Sequence, residues 1–297
     1  MFEASREAVK HARVVSLLPA ATEIVAALGS RSWLVGVSHE CDHPPEVRTL
    51  PRVTRTPLDP ALPSGAIHRA VTEARDGGVP PVTVDPDAVG RLAPDLVITQ
   101  ATCDVCAVDL AAQQVTAFLA ALPSPPEVVT LHAHTLEGIF ADIGRVGTAL
   151  GLADEADELV AGMRTRMARV RDGAAPRASR PRVLLLEWLD PPYVGGHWVP
   201  ELIGISGGVD VAARPGERSR AVAWRDLRAR GPDVVIVAPC GFDAPRARRE
   251  FAAVRDPDAA ALFRTARVEF LDGNAYTSRP GPRLADAAEQ LAALIRG

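Results

Sequence analysis

The sequence predicts an α/β protein of two similar lobes joined by a long helix, and three observations predict it. Short apolar runs alternate with segments of helical periodicity, the pattern of a parallel sheet. One helical stretch, residues 135–172, is longer than local packing requires. The motifs of the first half then return in the second half in the same order.

The first lobe is expected over residues 1–134. Arg13-Val-Val-Ser-Leu-Leu18 reads as a short buried strand, followed by Pro19 and a helix from Ala21 to Leu28 that Gly29 closes. Leu34 to Val37 is a second strand. It ends in His39-Glu40-Cys41-Asp42-His43-Pro44-Pro45, where the paired prolines enforce a loop. Helical patterns at Ile67 to Arg75 and Asp87 to Leu92 precede a strand at Leu96 to Thr99, and Val128 to Leu131 gives another. In the connecting stretch Leu136, Ile139, Phe140, Ile143, Val146 and Leu150 fall at helical spacing, as do Leu159, Val160, Met163, Met167 and Val170. One long helix, or two with a break near Gly151, would span roughly 50 Å.

The second lobe, residues 173–297, restarts the pattern. Arg182-Val-Leu-Leu-Leu186 answers Arg13 to Leu17, and Gly231-Pro-Asp-Val-Val-Ile236 answers Ala93-Pro-Asp-Leu-Val-Ile98. The shorter offset of the second pair assigns extra residues, Thr54 to Thr83, to the first lobe. Val268 to Leu271 is a last strand and Arg283 to Ile295 a terminal amphipathic helix.

Composition narrows the function. With 297 residues, 47% hydrophobic and 24% charged, the chain is globular. A net charge of −4 offers no general attraction to nucleic acid or to anionic lipid, so a small-molecule ligand is the expected partner. Lys10 is the sole lysine and lies in a polar leading segment, which argues against Schiff-base chemistry. Met1 to Arg13 is charged and lacks the apolar core of a signal peptide, and no run reaches the roughly 18 apolar residues of a spanning helix. The expectation is a cytoplasmic protein without membrane insertion, whose four cysteines are thiols, metal ligands or catalytic groups rather than disulfides. Neither a Walker-type phosphate loop nor a dinucleotide glycine motif is present. Gly204-Ile-Ser206-Gly-Gly208 matches a hydrolase pattern, but Ser206 follows a helix where a nucleophile elbow follows a strand.

The unusual residues sit just beyond the C-terminal ends of the expected strands, where open parallel sheets bind ligands. In the first half these are Glu40, Cys41 and Asp42, then Cys103, Asp104 and Cys106. In the second they are Glu187, Trp188, Tyr193, His197 and Trp198, then Cys240 and Phe242, then Asn274, Tyr276 and Arg279. A lone tryptophan or cysteine is usually a core residue. Here every cysteine falls at a strand end of one polarity, which assigns most of this set to a shared cleft.

Together, Ser16-Leu-Leu-Pro-Ala-Ala-Thr-Glu23, Val35-Gly-Val-Ser-His-Glu-Cys-Asp-His-Pro-Pro45, Pro94-Asp-Leu-Val-Ile98, Asp190-Pro-Pro-Tyr193 and Gly207-Gly208 carry a resemblance to a known family. The chain resembles class III substrate-binding proteins, which take vitamin B12 and siderophores, and among them the cobalamin-binding proteins of BtuF type. The resemblance runs from Arg13 to the C-terminus. It implies two Rossmann-like lobes with parallel-rich sheets, joined by a long backbone helix, with the ligand cleft between them. It also implies cobalamin or another corrinoid as ligand, and docking to an ABC transporter through one acidic residue per lobe, here Asp87 and Asp226. Two features depart from the family's pattern, the missing export signal and the cysteines together with Glu187-Trp188.

The leading expectation is therefore a non-enzymatic binder of a corrinoid or similar small ligand, with Trp188, Tyr193, Trp198, Phe242 and Tyr276 packing on the ring and Asn274 and Arg279 bonding its amides. The alternative is a cytoplasmic enzyme on the same fold, either metal-dependent or using Cys103 or Cys106 as nucleophile beside Glu187. Cys103-x-x-Cys106 supplies two thiolates from one turn. With Cys41, and with Cys240, His39 or His43 as the fourth group, it would complete a zinc site or hold an iron–sulfur cluster, or with one side left open would bind the ligand directly, the other reading being reduced thiols that line a pocket.

Overall fold

The computed structural model describes residues 13–101 and 117–297. The chain divides into two compact units. One comprises residues Met1–Asp59, Val71–Ala133 and Gly138–Ala161, and the other Pro60–Ala70, His134–Glu137 and Gly162–Gly297. Two short segments of the first half of the sequence thus fold with the second half.

The elements up to the middle of the chain run β1 (Val14–Ser16), α1 (Pro19–Ala27), β2 (Leu34–Val37), β3 (Thr54–Arg55), α2 (Ser64–Asp76), β4 (Thr83–Val84), α3 (Pro86–Leu92), β5 (Leu96–Gln100), β6 (Glu127–Leu131), α4 (Leu136–Leu150) and α5 (Ala153–Asp172). The main sheet of the first unit is ordered β2-β1-β5-β6 and is parallel throughout. Val15, Leu17, Val53, Val89, Val97 and Leu119 form its core on one side. β3 and β4 make a separate antiparallel pair. α4 and α5 are two helices, broken where Gly151 adopts φ +71°, a conformation that glycine enters without steric cost.

A buried carboxylate fixes the entry to α4. Asp142, 1% exposed, accepts hydrogen bonds from the backbone N–H groups of His132 (3.1 Å) and Ala133 (3.0 Å) and pairs with Arg145. Removing it would orphan two backbone donors at the end of β6. Asp142→Ala is expected to cost about 2–3 kcal/mol in urea unfolding. A loss under ~0.5 kcal/mol would show that water replaces the carboxylate.

The rest of the chain runs β7 (Arg182–Leu189), β8 (Pro192–Val194), α6 (Val199–Ile205), β9 (Val209–Asp210), β10 (Arg220–Ala221), α7 (Trp224–Ala229), β11 (Val234–Val237), α8 (Ala244–Ala253), α9 (Pro257–Thr265), β12 (Arg267–Phe270), α10 (Gly273–Tyr276) and α11 (Leu284–Arg296). The second sheet is ordered β10-β8-β7-β11-β12, with β9 also on β7. Its β7, β11 and β12 are parallel, like β1, β5 and β6, whereas β8 runs antiparallel to both β7 and β10. The sequence pattern did not announce that hairpin. Leu184, Leu186, Leu189, Val235 and Val237 bury one face of this sheet against Trp224, Leu227, Ala259 and Leu262 of the flanking helices.

The repeat seen in the sequence is also a repeat of hydrogen bonds. Arg13 donates its backbone N–H to Asp95 (3.1 Å) and its Nε to the carbonyl of Leu92 (3.0 Å), at the end of α3. Arg182 does the same with Asp233 (2.7 Å) and Gly231 (3.0 Å), beyond the end of α7. Each arginine ties the first residues of a central strand to the turn that starts its parallel neighbour. No helix among the described residues is long and apolar enough to cross a membrane.

Candidate functional site

In the first unit the loop after β2 is held by its own polar groups. Thr54 Oγ1 receives the backbone N–H of His39 (2.9 Å), lies 2.7 Å from His39 Nδ1 and donates to Ser38 Oγ (3.2 Å). Arg52 donates to the carbonyls of Ser38 (2.9 Å) and Cys41 (2.7 Å), and Arg48 to that of Asp42 (3.1 Å). The loop therefore presents Glu40 exposed and Asp42 half-buried, while Cys41 is 1% exposed.

The Cys41 sulfur sits 3.1 Å from Thr22 Oγ1, whose hydroxyl reaches Ser16 Oγ at 2.8 Å. This chain of small polar groups accounts for Ser16 and Thr22 of the Ser16-to-Glu23 motif. It also corrects the expected four-cysteine cluster. The Cys41 thiol is packed against a hydroxyl inside the first unit, Cys240 is exposed in the second, and Cys103, Asp104 and Cys106 lie outside the described residues. Among the described residues no group of three or more His, Cys, Asp or Glu side chains is arranged to hold a metal ion. The zinc or iron–sulfur expectation has no support there.

The second unit gathers the aromatic residues. Trp188, the penultimate residue of strand β7, meets Phe242 with ring centroids 5.1 Å apart. The Arg246 guanidinium covers Phe242 at 3.7 Å from its centroid. Tyr193 on β8 lies 5.8 Å from the ring of His68, which α2 contributes. That first turn of α2 is anchored in the same unit, because Ser64 N–H donates to Glu250 (2.9 Å) and Arg246 donates to the carbonyl of Leu62 (2.9 Å). A Cβ on Gly65 would meet the carboxylate of Asp190, so glycine lets that side chain lie directly against α2.

His197 stands at φ +54°, in the left-handed region. Its N–H donates to the carbonyl of Glu217 (2.6 Å), and its own carbonyl accepts from Gly216 N–H (2.9 Å). The ring stacks on His134, with centroids 5.3 Å apart and planes inclined by 22°, and lies 5.6 Å from the ring of Trp198. Burial, and then the neighbouring His134, hold the His197 imidazole below its ordinary pKa.

Three of the expected ligand residues are buried inside the unit. Trp198, 6% exposed, donates Nε1 to the carbonyl of Thr277 (2.9 Å), and Phe242 is 3% exposed. Arg279 is 5% exposed and donates to Asn274 Oδ1 (2.9 Å). Asp272 caps this segment through Ala275 N–H (2.7 Å), and burial pushes its carboxyl up. Glu187, Trp188, Tyr193, His197, Asn274 and Tyr276 are all half-buried, so they form the surface this wall can offer. The Trp188 Nε1 hydrogen is buried without a hydrogen-bond partner. Sequence reasoning missed His134, His68 and Arg246. His134 could have been found, since it follows the end of β6 with the polarity of the other strand-end residues.

Ser206 is buried and donates to the carbonyl of Ala288 (2.9 Å), so the hydrolase-like pattern carries no nucleophile. Asp87 and Asp226 are exposed on the first turns of α3 and α7. A shallow groove lined by Glu127 to Thr130, Gly144 and Arg145 lies in the first unit, and none of the expected ligand residues lines it.

His39 and His197 carry one testable consequence. Burial holds both below the ordinary imidazole pKa, with Arg52 adding to the effect at His39 and Glu40 opposing it. The unfolded chain therefore binds more protons just below pH 6.5, and stability is complete above about that pH and falls as pH drops towards the lowered values. Urea midpoints measured from pH 8 to 5 are expected to fall, with a shallower slope in His39→Gln. An unchanged slope in that variant would rule out His39 as a contributor.

A family model described as periplasmic binding protein matches residues 14–272. Among curated proteins none matches significantly. Among solved structures, the periplasmic vitamin B12 binding protein BtuF of Vibrio cholerae is 22% identical, with 97% of each chain covered and a TM-score of 0.63. The periplasmic heme-binding protein RhuT from Roseiflexus sp. RS-1 is 23% identical, covering 95% of this chain and 97% of that one, with a TM-score of 0.66. An ABC-type Fe3+-hydroxamate transport system from Saccharomonospora viridis DSM 43017 is 19% identical over 97% and 94%, with a TM-score of 0.65. At identities this low the likeness is one of fold. The expectation of a cytoplasmic location is overturned, because the matching family and these neighbours are periplasmic or transport-associated binding proteins. With two α/β units built on parallel-rich sheets and a family match spanning most of its length, the chain belongs to the periplasmic binding protein family and has its class III fold.

Proposed function

We propose that this protein binds a corrinoid, or a macrocycle of similar size and flatness, on the aromatic wall of the second unit. The observation that carries this reading is the Trp188 side chain. Its residue is half-buried beside Phe242, whose ring Arg246 covers, and its Nε1 hydrogen is buried with no partner. A large flat ligand suits half-buried aromatic rings drawn from separate strand ends, here Trp188, Tyr193 and Tyr276. The peripheral amides of a corrinoid would supply the acceptor that the indole lacks. Asn274, half-buried, and its partner Arg279 are the polar groups of this unit assigned to the same ligand. The names printed for the fold neighbours, vitamin B12 and heme among them, include two metallomacrocycles.

Docking to an ABC transporter through Asp87 and Asp226 belongs to the same reading, because both carboxylates are exposed on first helical turns. Titration with cyanocobalamin and dicyanocobinamide, read by tryptophan fluorescence and by calorimetry, tests the ligand assignment. Saturable quenching with an affinity in the micromolar range or tighter is expected. Neither quenching nor heat at roughly 100 μM ligand, equivalent to less than about 5.5 kcal/mol of binding, would remove the corrinoid reading.

A further inference from the structure

We propose that the open edge of β6 is a self-association surface, on which a second copy of this chain pairs its own β6 antiparallel, about a two-fold axis at Val129. β6 is the last strand of the first unit's main sheet, and among the described residues no strand covers its outer side. Val128, Val129 and Thr130 are half-buried, whereas β1 in the middle of the sheet is wholly buried.

The ladder on the inner side decides which groups face outward. Glu127 N–H donates to the carbonyl of Asp95 (2.9 Å), and Ala101 N–H to that of Leu131 (2.9 Å). Alternate residues of a strand bond to the same neighbour, so Glu127, Val129 and Leu131 turn their N–H and C=O groups towards β5. Val128 and Thr130 turn theirs away from it. This outward edge is closed at both ends. Pro125 and Pro126 precede it and carry no N–H. His132, the next outward residue, gives its N–H to Asp142 (3.1 Å). Between those stops, Val128 to Thr130 holds no proline, lysine or bulge, the devices that protect natural sheet edges from pairing.

The short edge is complementary to itself in one register. With Val129 opposite Val129, Val128 of each copy exchanges both backbone bonds with Thr130 of the other, and every outward N–H and C=O of these residues is matched. At the next outward position Pro126 meets His132 of the second copy, so a residue without an N–H faces one whose N–H is already engaged. Sliding one copy by two residues either way leaves a carbonyl of Val128 or Thr130 without a donor.

Charge selects the same register. Glu127, exposed at the start of the strand, comes opposite Leu131 of the second copy, at the end of the edge where Arg145 stands beside Asp142. The Arg145 side chain is 46% exposed and lines the same groove as Glu127. α4 leaves space for the second strand, because Gly144 and Thr148, one turn apart, line the groove and a Cβ built on Gly144 meets nothing within 4 Å. Val128 packs into the core with Val15 and Val97, so Glu127, Val129 and Leu131 share the opposite face of β6. A five-residue strand flanked by one helical turn buries less than the roughly 1,200 Å² of stable complexes, which sets the expected dissociation constant at about 100 μM.

The test is sedimentation velocity of the full chain from about 10 μM to about 1 mM, with cysteine substitution as the probe of register. A concentration-dependent rise from monomer to dimer is expected. Thr130→Pro removes an N–H that points away from β5 and is expected to abolish the dimer while the urea midpoint changes little. Glu127→Arg is expected to weaken it roughly tenfold. Val129 opposes itself in a non-hydrogen-bonded pair, whose Cα atoms lie about 4.5 Å apart, within the range of a disulfide. Oxidised Val129→Cys is therefore expected to form a covalent dimer in which peptide mapping finds position 129 linked to itself. Val128→Cys, which opposes Thr130, is expected to link poorly. If Thr130→Pro does not fold, the self-link at position 129 decides. A chain that stays monomeric throughout and gives no such link would overturn the proposal, as it would if another segment or another protein covered this edge. A dimer that survives Thr130→Pro, or that forms without the link at position 129, would use a different surface and would overturn it equally.

Discussion

Gly273→Ala is expected to destabilise the protein by about 3–4 kcal/mol, and Gly162→Ala to stabilise it by about 0.5–1 kcal/mol. Gly273 opens α10, directly after β12, and is buried where that strand passes the end of β11. A methyl group on it would be driven into the carbonyl oxygens of Ala238 and Pro239. Those atoms are backbone, so no rotamer change relieves the collision. Relief requires the ends of β11 and β12 to part, breaking the bonds Leu271 N–H to Val237 O (3.1 Å) and Asn274 N–H to Phe242 O (3.2 Å). Phe242, Asn274 and Arg279 would move with them, so ligand affinity is expected to fall together with stability. Gly162 lies on the exposed side of α5 with no atom within 4 Å of a built Cβ, and there alanine simply lowers the entropy of the unfolded chain. Urea unfolding of both variants measures the two signs. Equal and small effects would show that the β11–β12 junction yields more readily than its backbone contacts imply.

The parallel strands were legible because they are buried on both faces and read as unbroken apolar runs, Val14-Val15, Leu96-Val97-Ile98 and Val234 to Val237. The β7–β8–β10 hairpin was not. Its pairing depends on the turn after Leu189 and on Arg220–Ala221, an exposed two-residue strand with no apolar alternation to mark it. Nor could periodicity show that residues 60–70 and 134–137 fold with the second half. They are tied by contacts between residues far apart in the chain, among them Ser64 N–H to Glu250 (2.9 Å), Arg246 to the carbonyl of Leu62 (2.9 Å) and Leu136 N–H to Glu201 (2.8 Å). The same limit governs the site. Trp188 and Phe242 were found because each follows a strand, but a sequence cannot distinguish a cysteine buried against Thr22 from one awaiting a metal. Cys41 was therefore grouped with the other cysteines, whereas the contact its sulfur makes is with the hydroxyl of Thr22.

Trp188→Phe is expected to separate binding from stability. In the unliganded protein the Trp188 Nε1 hydrogen is buried with no acceptor, a penalty of about 1–3 kcal/mol for a desolvated donor. Phenylalanine removes the donor and retains most of the ring that meets Phe242 at 5.1 Å. Some packing is lost with the smaller ring, so the net effect on unfolding is expected to lie between zero and a gain of about 1 kcal/mol. Binding moves the other way. If the ligand supplies the missing acceptor, losing that hydrogen bond costs about 0.5–1.5 kcal/mol, roughly a 2- to 10-fold weaker affinity. Trp188→Ala removes the aromatic surface as well and is expected to weaken binding by about 30- to 100-fold. Trp198→Phe is the control. Its Nε1 bonds to Thr277 at 2.9 Å within the unit, so that change is expected to cost about 1 kcal/mol of stability. Its affinity is expected to change less than that of Trp188→Phe. The measurement is cobinamide affinity by calorimetry beside urea midpoints for all three variants. If Trp188→Phe lowered stability and left affinity untouched, Trp188 would be a packing residue, and the ligand wall would have to be sought elsewhere on the second unit.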